Sequence, residues 1–227
     1  VVRHLGADDR SSTRVRIVDG TLRSLARQGL AKTTVDDIAR EASLSRATVY
    51  RTFPKGKDGI VEAVVETEVA RLFSSLAVVM GEATDLEDVL VAGIVESARR
   101  LRAHAALTTL LTREPGVVLP YLAFAKLDRV LMVAGDLAAP FFARWLEPAQ
   151  ASRAAEWAVR IVLSYLQHPE CSTDLTDPED THALVRAFVL PGILALRTGP
   201  PSPSTSRPPT SVSSPTSTRP TIKGAVQ

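Results

Sequence analysis

A single cysteine, Cys171, stands in 227 residues, so no internal disulfide can form, and no Cys/His cluster has the spacing of a structural zinc site. Aromatic residues make up 5% of the chain and β-branched alternation is scarce, which excludes an all-β sandwich and leaves helix as the dominant structure. No charge-free apolar run approaches the roughly 20 residues that a membrane span requires. The stretch from Val1 to Ser12 is too polar for the core of a signal peptide, so a soluble, cytoplasmic protein is expected. Gly-rich phosphate-loop spacing and a dinucleotide fingerprint are both missing. His4, His104, His168 and His182 have no motif pairing them with a nucleophile or a metal ligand, and Cys171 lies in a Pro/Glu/Ser/Thr stretch away from any predicted base. Catalysis, a cofactor and a metal are therefore not expected. What the chain has is apolar mass, 45% hydrophobic against 23% charged, enough for one large domain or two small ones.

Charge is unevenly spread behind a formal net of +2. Residues 1–60 carry 12 Lys/Arg against 7 Asp/Glu, residues 61–197 carry 12 against 18, and residues 198–227 carry 3 against none. A basic head on an acidic body suits a head that meets a polyanion, because phosphate neutralisation supplies most non-specific nucleic-acid affinity. A solvated charged face would give the same count. The last 30 residues hold 7 Pro, 7 Ser and 6 Thr with few aliphatic side chains, too little to bury a core. A disordered tail over 198–227 is expected.

Val15, Val18, Leu22 and Leu25 recur at helical spacing and predict a first helix, with Gly29 placed for a left-handed C-terminal cap. Thr34 ahead of Val35, Asp36 and Asp37 predicts a capping-box-like start to a short second helix that runs to about Ala42. Ser43, Leu44 and Ser45 then make a tight turn, and Ser45 caps a third helix from Arg46 to Phe53 that Pro54 and Gly56 stop. Two short helices across such a turn form a helix-turn-helix pattern. Its second helix offers Arg46 and Arg51 as donors to bases or phosphates, Thr48 and Tyr50 as hydroxyls, and Ala47 as a point of close approach.

At these residues the sequence resembles the TetR family of ligand-responsive repressors. Thr33 to Ala39, then Leu44-Ser45, Thr48-Val49-Tyr50 and Phe53-Pro54, look like that family's N-terminal signature. Ser43 departs from it, standing where glycine is usual, so a left-handed backbone there costs about 1 kcal/mol. The Lys55 to Gly59 stretch is one residue longer than the commonest spacing before helix four. The resemblance implies that Arg46, Ala47, Arg51 and Thr52 face base edges, that Thr48, Tyr50 and Lys57 hold the DNA backbone, and that Thr34 caps helix two near a phosphate.

Beyond Ile60 the pattern stays helical. Ile60, Val64, Val65, Val69, Leu72, Phe73 and Leu76 mark a long fourth helix, and Leu86 to Leu101 a fifth. Leu107, Leu110 and Leu111 mark a short sixth that ends near Pro115. Pro120 opens a seventh carrying Tyr121, Phe124, Leu127, Leu131 and Met132, which Pro140 should kink or end. Ala154, Trp157, Ala158, Ile161, Val162 and Tyr165 give an eighth helix an apolar stripe wider than one core contact needs. A ninth starts at Pro178 behind an Asp177 cap and carries Leu184, Val185, Phe188 and Leu194, interrupted at Pro191-Gly192.

The expected fold is all-α with about nine helices. It comprises a flexible N-terminus (1–12), a three-helix helix-turn-helix DNA-binding domain (13–59), a helical effector-binding and dimerisation domain (60–197) and the tail. The resemblance implies a dimer built by the last two helices, through Trp157, Ile161, Tyr165, Leu184 and Phe188. It also implies an effector pocket among helices four to eight, with Leu101, His104, Leu107, Leu111, Tyr121, Phe124 and Trp157 as candidates. The function expected is a homodimeric repressor released from a palindromic operator when a hydrophobic small molecule binds. Two alternatives are a DNA-binding dimer without an effector and an enzyme using the helical cavity.

Overall fold

The computed structural model describes residues 5–117, 127–167 and 173–197, and every regular element among them is helical. The order is α1 (Leu5–Lys32), α2 (Val35–Glu41), α3 (Arg46–Thr52), α4 (Lys57–Gly81), α5 (Leu86–Ala103), α6 (Ala105–Arg113), α7 (Leu127–Phe142), α8 (Pro148–Gln167), α9 (Pro178–Leu184) and α10 (Leu190–Arg197). Expectations that fall on the opening of helix seven, with Pro120, Tyr121 and Phe124, on His168 and Cys171, and on the tail lie outside the described residues.

Two separate apolar cores share α4. The head core joins Ile17 and Val18 of α1, Ile38 of α2, Val49 of α3 and Phe53 to Ile60, Ala63 and Val64 of α4, so it reaches beyond residue 59. The body core joins Leu76 and Met80 at the far end of α4 to α5, α7, α8 and the α9–α10 rod.

The stripe of α1 is rotated from the expected one. Val15 is 45% exposed while Ile17, Val18, Thr21, Ser24 and Leu25 are buried. The cause is Gly20, against which the turn after α2 packs: a Cβ there would lie 2.9 Å from the Ala42 nitrogen. That closeness brings the line of contact along α1 through position 20. Arg16 secures the same turn, its guanidinium donating to the Ala42 carbonyl at 2.8 Å and the Ser43 carbonyl at 2.9 Å. Ser43 itself is left-handed, with φ 54°, as the missing glycine implied.

Gly29 breaks α1 with φ 80° and ψ 177°, a conformation only glycine reaches without strain, rather than the ordinary left-handed cap. The turn after it is held from a distance. Glu114, following α6, accepts from the Leu30 N–H at 3.0 Å and the Ala31 N–H at 3.1 Å. A Cβ on Gly29 would stand 2.2 Å from that carboxylate.

Two further expectations shift in the body. Met132 is 59% exposed, so α7 turns Leu131 inward and Met132 out. Pro140 lies inside α7, which ends two residues later at Phe142. Pro191-Gly192 does not interrupt the last helix. Instead α9 runs through a π-helical turn, Val185–Val189, straight into α10. Within that turn the Leu190 N–H donates back to Val185, and widening the ladder here accommodates a ring that has no N–H and would crowd the carbonyl four residues earlier.

Candidate functional site

The recognition surface is built by local caps. Thr34 starts α2: its hydroxyl oxygen accepts from the Asp37 N–H at 3.2 Å, while the Asp37 carboxylate accepts from the Thr34 N–H at 3.0 Å and hydroxyl at 2.7 Å. Those donors hold Asp37 down to about 2, the Thr34 hydroxyl contributing most. Ser45 starts α3 by accepting from the Thr48 N–H at 3.1 Å. Val49, fully buried, anchors α3 in the head core and turns the opposite face to solvent.

On that face Arg46, Ala47, Tyr50 and Arg51 are exposed and Thr48 and Thr52 half-buried. Their states differ. Arg51 makes no hydrogen bond or ion pair among the described residues and is free to meet a base or a phosphate. Arg46 lies over the Tyr50 ring, 5.5 Å from its centroid, and is paired at 3.0 Å with Asp36, so reaching DNA requires giving up an exposed ion pair of small worth. The Thr48 hydroxyl shares a hydrogen bond of 2.9 Å with Ser45, and the Thr52 hydroxyl donates to the Thr48 carbonyl at 2.9 Å, back into its own helix. Lys57 is drawn inward, its ammonium donating at 2.6 Å to the Leu30 carbonyl near the end of α1. The lysine that stays out is Lys55, 74% exposed at its side chain with only a 3.4 Å contact to Glu62. It was missed because sequence alone does not say which of two lysines around Gly56 turns inward.

The body holds a cavity of about 550 Å³ between α4, α5, α7 and α8. Leu72 and Leu76 of α4, Leu90 and Ile94 of α5, Phe142 of α7 and Val162 of α8 form part of its wall. Space exists because small residues face one another across it: Gly93 on α5, Ala134 and Ala138 on α7, Ala155 and Ala158 on α8. That repeat of small side chains at helical spacing is the sequence signal for the cavity.

Of the expected pocket residues that are described, Leu101 lines this cavity and the others stand elsewhere. His104 is a junction residue. Its Nδ1 accepts from the Leu107 N–H at 3.0 Å, capping α6, and its Nε2 donates to Glu68 of α4 at 3.0 Å. Glu68 also pairs with Arg71, which reaches Asp19 of α1 at 2.7 Å and is kept more basic than usual chiefly by that bond. Leu107 and Leu111 lie on α6, which packs mainly along α1. Trp157 is 60% exposed and turns away from the cavity. It shares this outward character with Phe188, 80% exposed on the π turn, and Leu194, 40% exposed on α10. Ile161, Tyr165 and Leu184 are half-buried against the body core.

Among the described residues no helix is long and apolar enough to cross a membrane. No group of three or more His, Cys, Asp or Glu among them could hold a metal ion.

Residues 17–64, from Ile17 to Val64, match the sequence model of bacterial regulatory proteins of the TetR family. An uncharacterized HTH-type transcriptional regulator of Mycobacterium tuberculosis is 28% identical over 178 residues, covering 78% of this chain and 83% of that protein. The head alone is more similar to YvkB, an uncharacterized HTH-type regulator of Bacillus subtilis, at 42% over 53 residues, 23% of this chain and 28% of that one. Among solved structures, the TetR family repressor AlkX of Dietzia sp., implicated in biodegradation of n-alkanes, superposes with a TM-score of 0.59 at 21% identity, covering 80% of this chain and 95% of that one. The fatty acid degradation regulator FadR of Bacillus halodurans gives 0.54 at 19%, covering 78% and 96%. At those identities the structures speak for the fold.

Proposed function

We propose that the chain, whose residues 17–64 match the TetR-family model, is a TetR-family DNA-binding transcriptional regulator, a homodimeric repressor released from a palindromic operator by a hydrophobic small molecule. The observation that carries this reading is the division of α4 between two cores, one under an exposed recognition helix and one beside an apolar cavity. A ligand that displaces the cavity half of α4 moves Ile60, Ala63 and Val64 under α3. If filling the cavity weakens operator binding by some factor, operator must weaken ligand binding by the same factor, a coupling of about 1–3 kcal/mol.

Reading DNA falls to Arg46, Ala47 and Arg51, with Tyr50, Thr48 and Lys55 at the phosphates. Thr34, Thr52 and Lys57 act through the scaffold, since their polar groups are committed to it. Pairing of two copies uses the outward face of Trp157, Phe188 and Leu194, flanked by Ile161, Tyr165 and Leu184; two heads so joined meet half-sites about one helical turn apart. The cavity favours an effector over a purely DNA-binding dimer.

Selection and sequencing of duplexes retained by the purified protein from a random pool tests the reading. The expected result is an enriched palindrome, lost on Arg51→Ala by about 1–3 kcal/mol of affinity with the melting temperature unchanged. Release of that duplex by members of a panel of hydrophobic compounds tests the effector. Absence of enrichment from folded, dimeric protein defeats the operator reading, and release by none of the panel leaves the DNA-binding dimer alone.

A further inference from the structure

The chemistry of the cavity restricts what fills it, and this inference rests on the cavity being the effector site. Among the described side chains that line it, every one is hydrocarbon except the thioether of Met80 and the hydroxyl of Ser97. The described part of the mouth is apolar as well. Val65 and Val69 of α4 and Val133 and Leu137 of α7 both line the cavity and are exposed, at 56%, 37%, 45% and 44%. Among the described wall and rim residues no side chain is cationic or anionic, and moving an ion into such surroundings without a partner is heavily penalised. A helical serine can return its hydroxyl to a carbonyl one turn back. Ser97 forms no hydrogen bond among the described residues, so its hydroxyl is available, with Leu101 one turn beyond it and Gly93 one turn before.

We propose that the occupant is an uncharged, largely aliphatic molecule bearing one neutral hydrogen-bonding group, and that Ser97 is the residue that reads this group. A long-chain alcohol, ketone or ester satisfies both conditions; a free carboxylate or an ammonium does not. Apolar area supplies the affinity, and the single polar pairing at Ser97 sets which end of the chain lies deepest.

The test is titration calorimetry of the full chain with dodecanol, dodecyl chloride and dodecanoate, each below its micellar concentration, against wild type, Ser97→Ala and Ala158→Phe. Ala134→Leu serves as a second block should Ala158→Phe lower the melting transition. Dodecanol is expected to bind wild type, with dodecanoate about tenfold or more weaker. Ser97→Ala should weaken dodecanol by about two- to tenfold and leave dodecyl chloride unchanged. Either blocking variant should abolish all binding. Dodecanoate binding as tightly as dodecanol, and blocked by Ala158→Phe, overturns the neutral occupant while the effector cavity stands. An unchanged dodecanol affinity in Ser97→Ala overturns the assignment of that residue. Dodecanol binding that survives both blocks overturns the inference and the cavity reading together. Failure of all three probes to bind wild type overturns the inference alone, the cavity then resting on the operator-release panel.

Discussion

The head and the body are both helical, yet they bury their apolar residues differently. In the head, α1, α2, α3 and the start of α4 close around Ile17, Ile38, Val49 and Ile60, each 0% exposed. In the body, four helices meet around alanine and glycine and leave about 550 Å³ unfilled. A surface that reads a polyanion needs its side chains held in register from beneath, which a closed core does. A site that admits a small molecule must forgo some packing, because interiors otherwise fill to crystal density. The two halves of one α4 thus serve opposite packing demands.

The largest expected effect separates the two kinds of core. Ile38→Ala removes a side chain fully enclosed by the head and should cost about 3–5 kcal/mol, while Leu90→Ala, 1% exposed but beside the cavity, should cost nearer 2 kcal/mol because its side chain already lacks neighbours on one flank. Urea unfolding followed by far-UV circular dichroism measures both. Equal costs would mean that the cavity is closed in solution and that the contrast between the halves is lost.

How much of this was legible in the sequence follows the same division. Thr34, Asp37, Ser45 and Asp177 announce helix starts through side chains two or three positions from the groups they cap, so the elements could be read from short windows. Ser43 was legible for the same reason, its positive φ following from a turn three residues long. The cavity depends on α4, α5, α7 and α8 meeting, which no window contains, and the largest apolar residues were the wrong guide to it. The junction role of His104 is not legible locally, because its partner Glu68 lies 36 residues earlier. Nothing near Lys57 in sequence reveals the Leu30 carbonyl, 27 residues earlier, that takes its ammonium.

A smaller effect tests whether the halves are mechanically joined. Gly29→Ala must either strain a backbone at φ 80° or displace the Glu114 carboxylate, costing about 1–3 kcal/mol. Glu114→Ala leaves the Leu30 and Ala31 N–H groups without that acceptor and should cost about 1 kcal/mol, as loss of a helix cap does. Both act on one contact, so the double variant should be less destabilised than the sum of the two. Strict additivity, or unfolding of the head at unchanged urea in all three, would show that α6 does not brace α1 and that the head stands apart from the body.

The smallest expected effect concerns what the halves have in common. The Asp37 carboxylate, held chiefly by the Thr34 hydroxyl, titrates at about 2 instead of its ordinary 3.8. Asp88 at the start of α5 is also lowered, chiefly by the Thr84 hydroxyl, which donates to it at 2.5 Å. A carboxylate whose folded value is depressed contributes stability that is fully present above its unfolded value and is lost as pH falls through the folded one. For Asp37 that window runs from about 4 down to about 2. Carbon-detected NMR titration of the side-chain carboxyls should show both groups below the ordinary range, with Thr34→Val returning Asp37 toward 3.8 and Thr84→Val raising Asp88, each without effect on the other. Such independence locates the difference between head and body in the packing between helices and not in how each helix begins. An Asp37 that titrates at its ordinary value in the wild-type protein would mean that the start of α2 is frayed, and that α3 is held in register by Val49 and its neighbours without help from the cap.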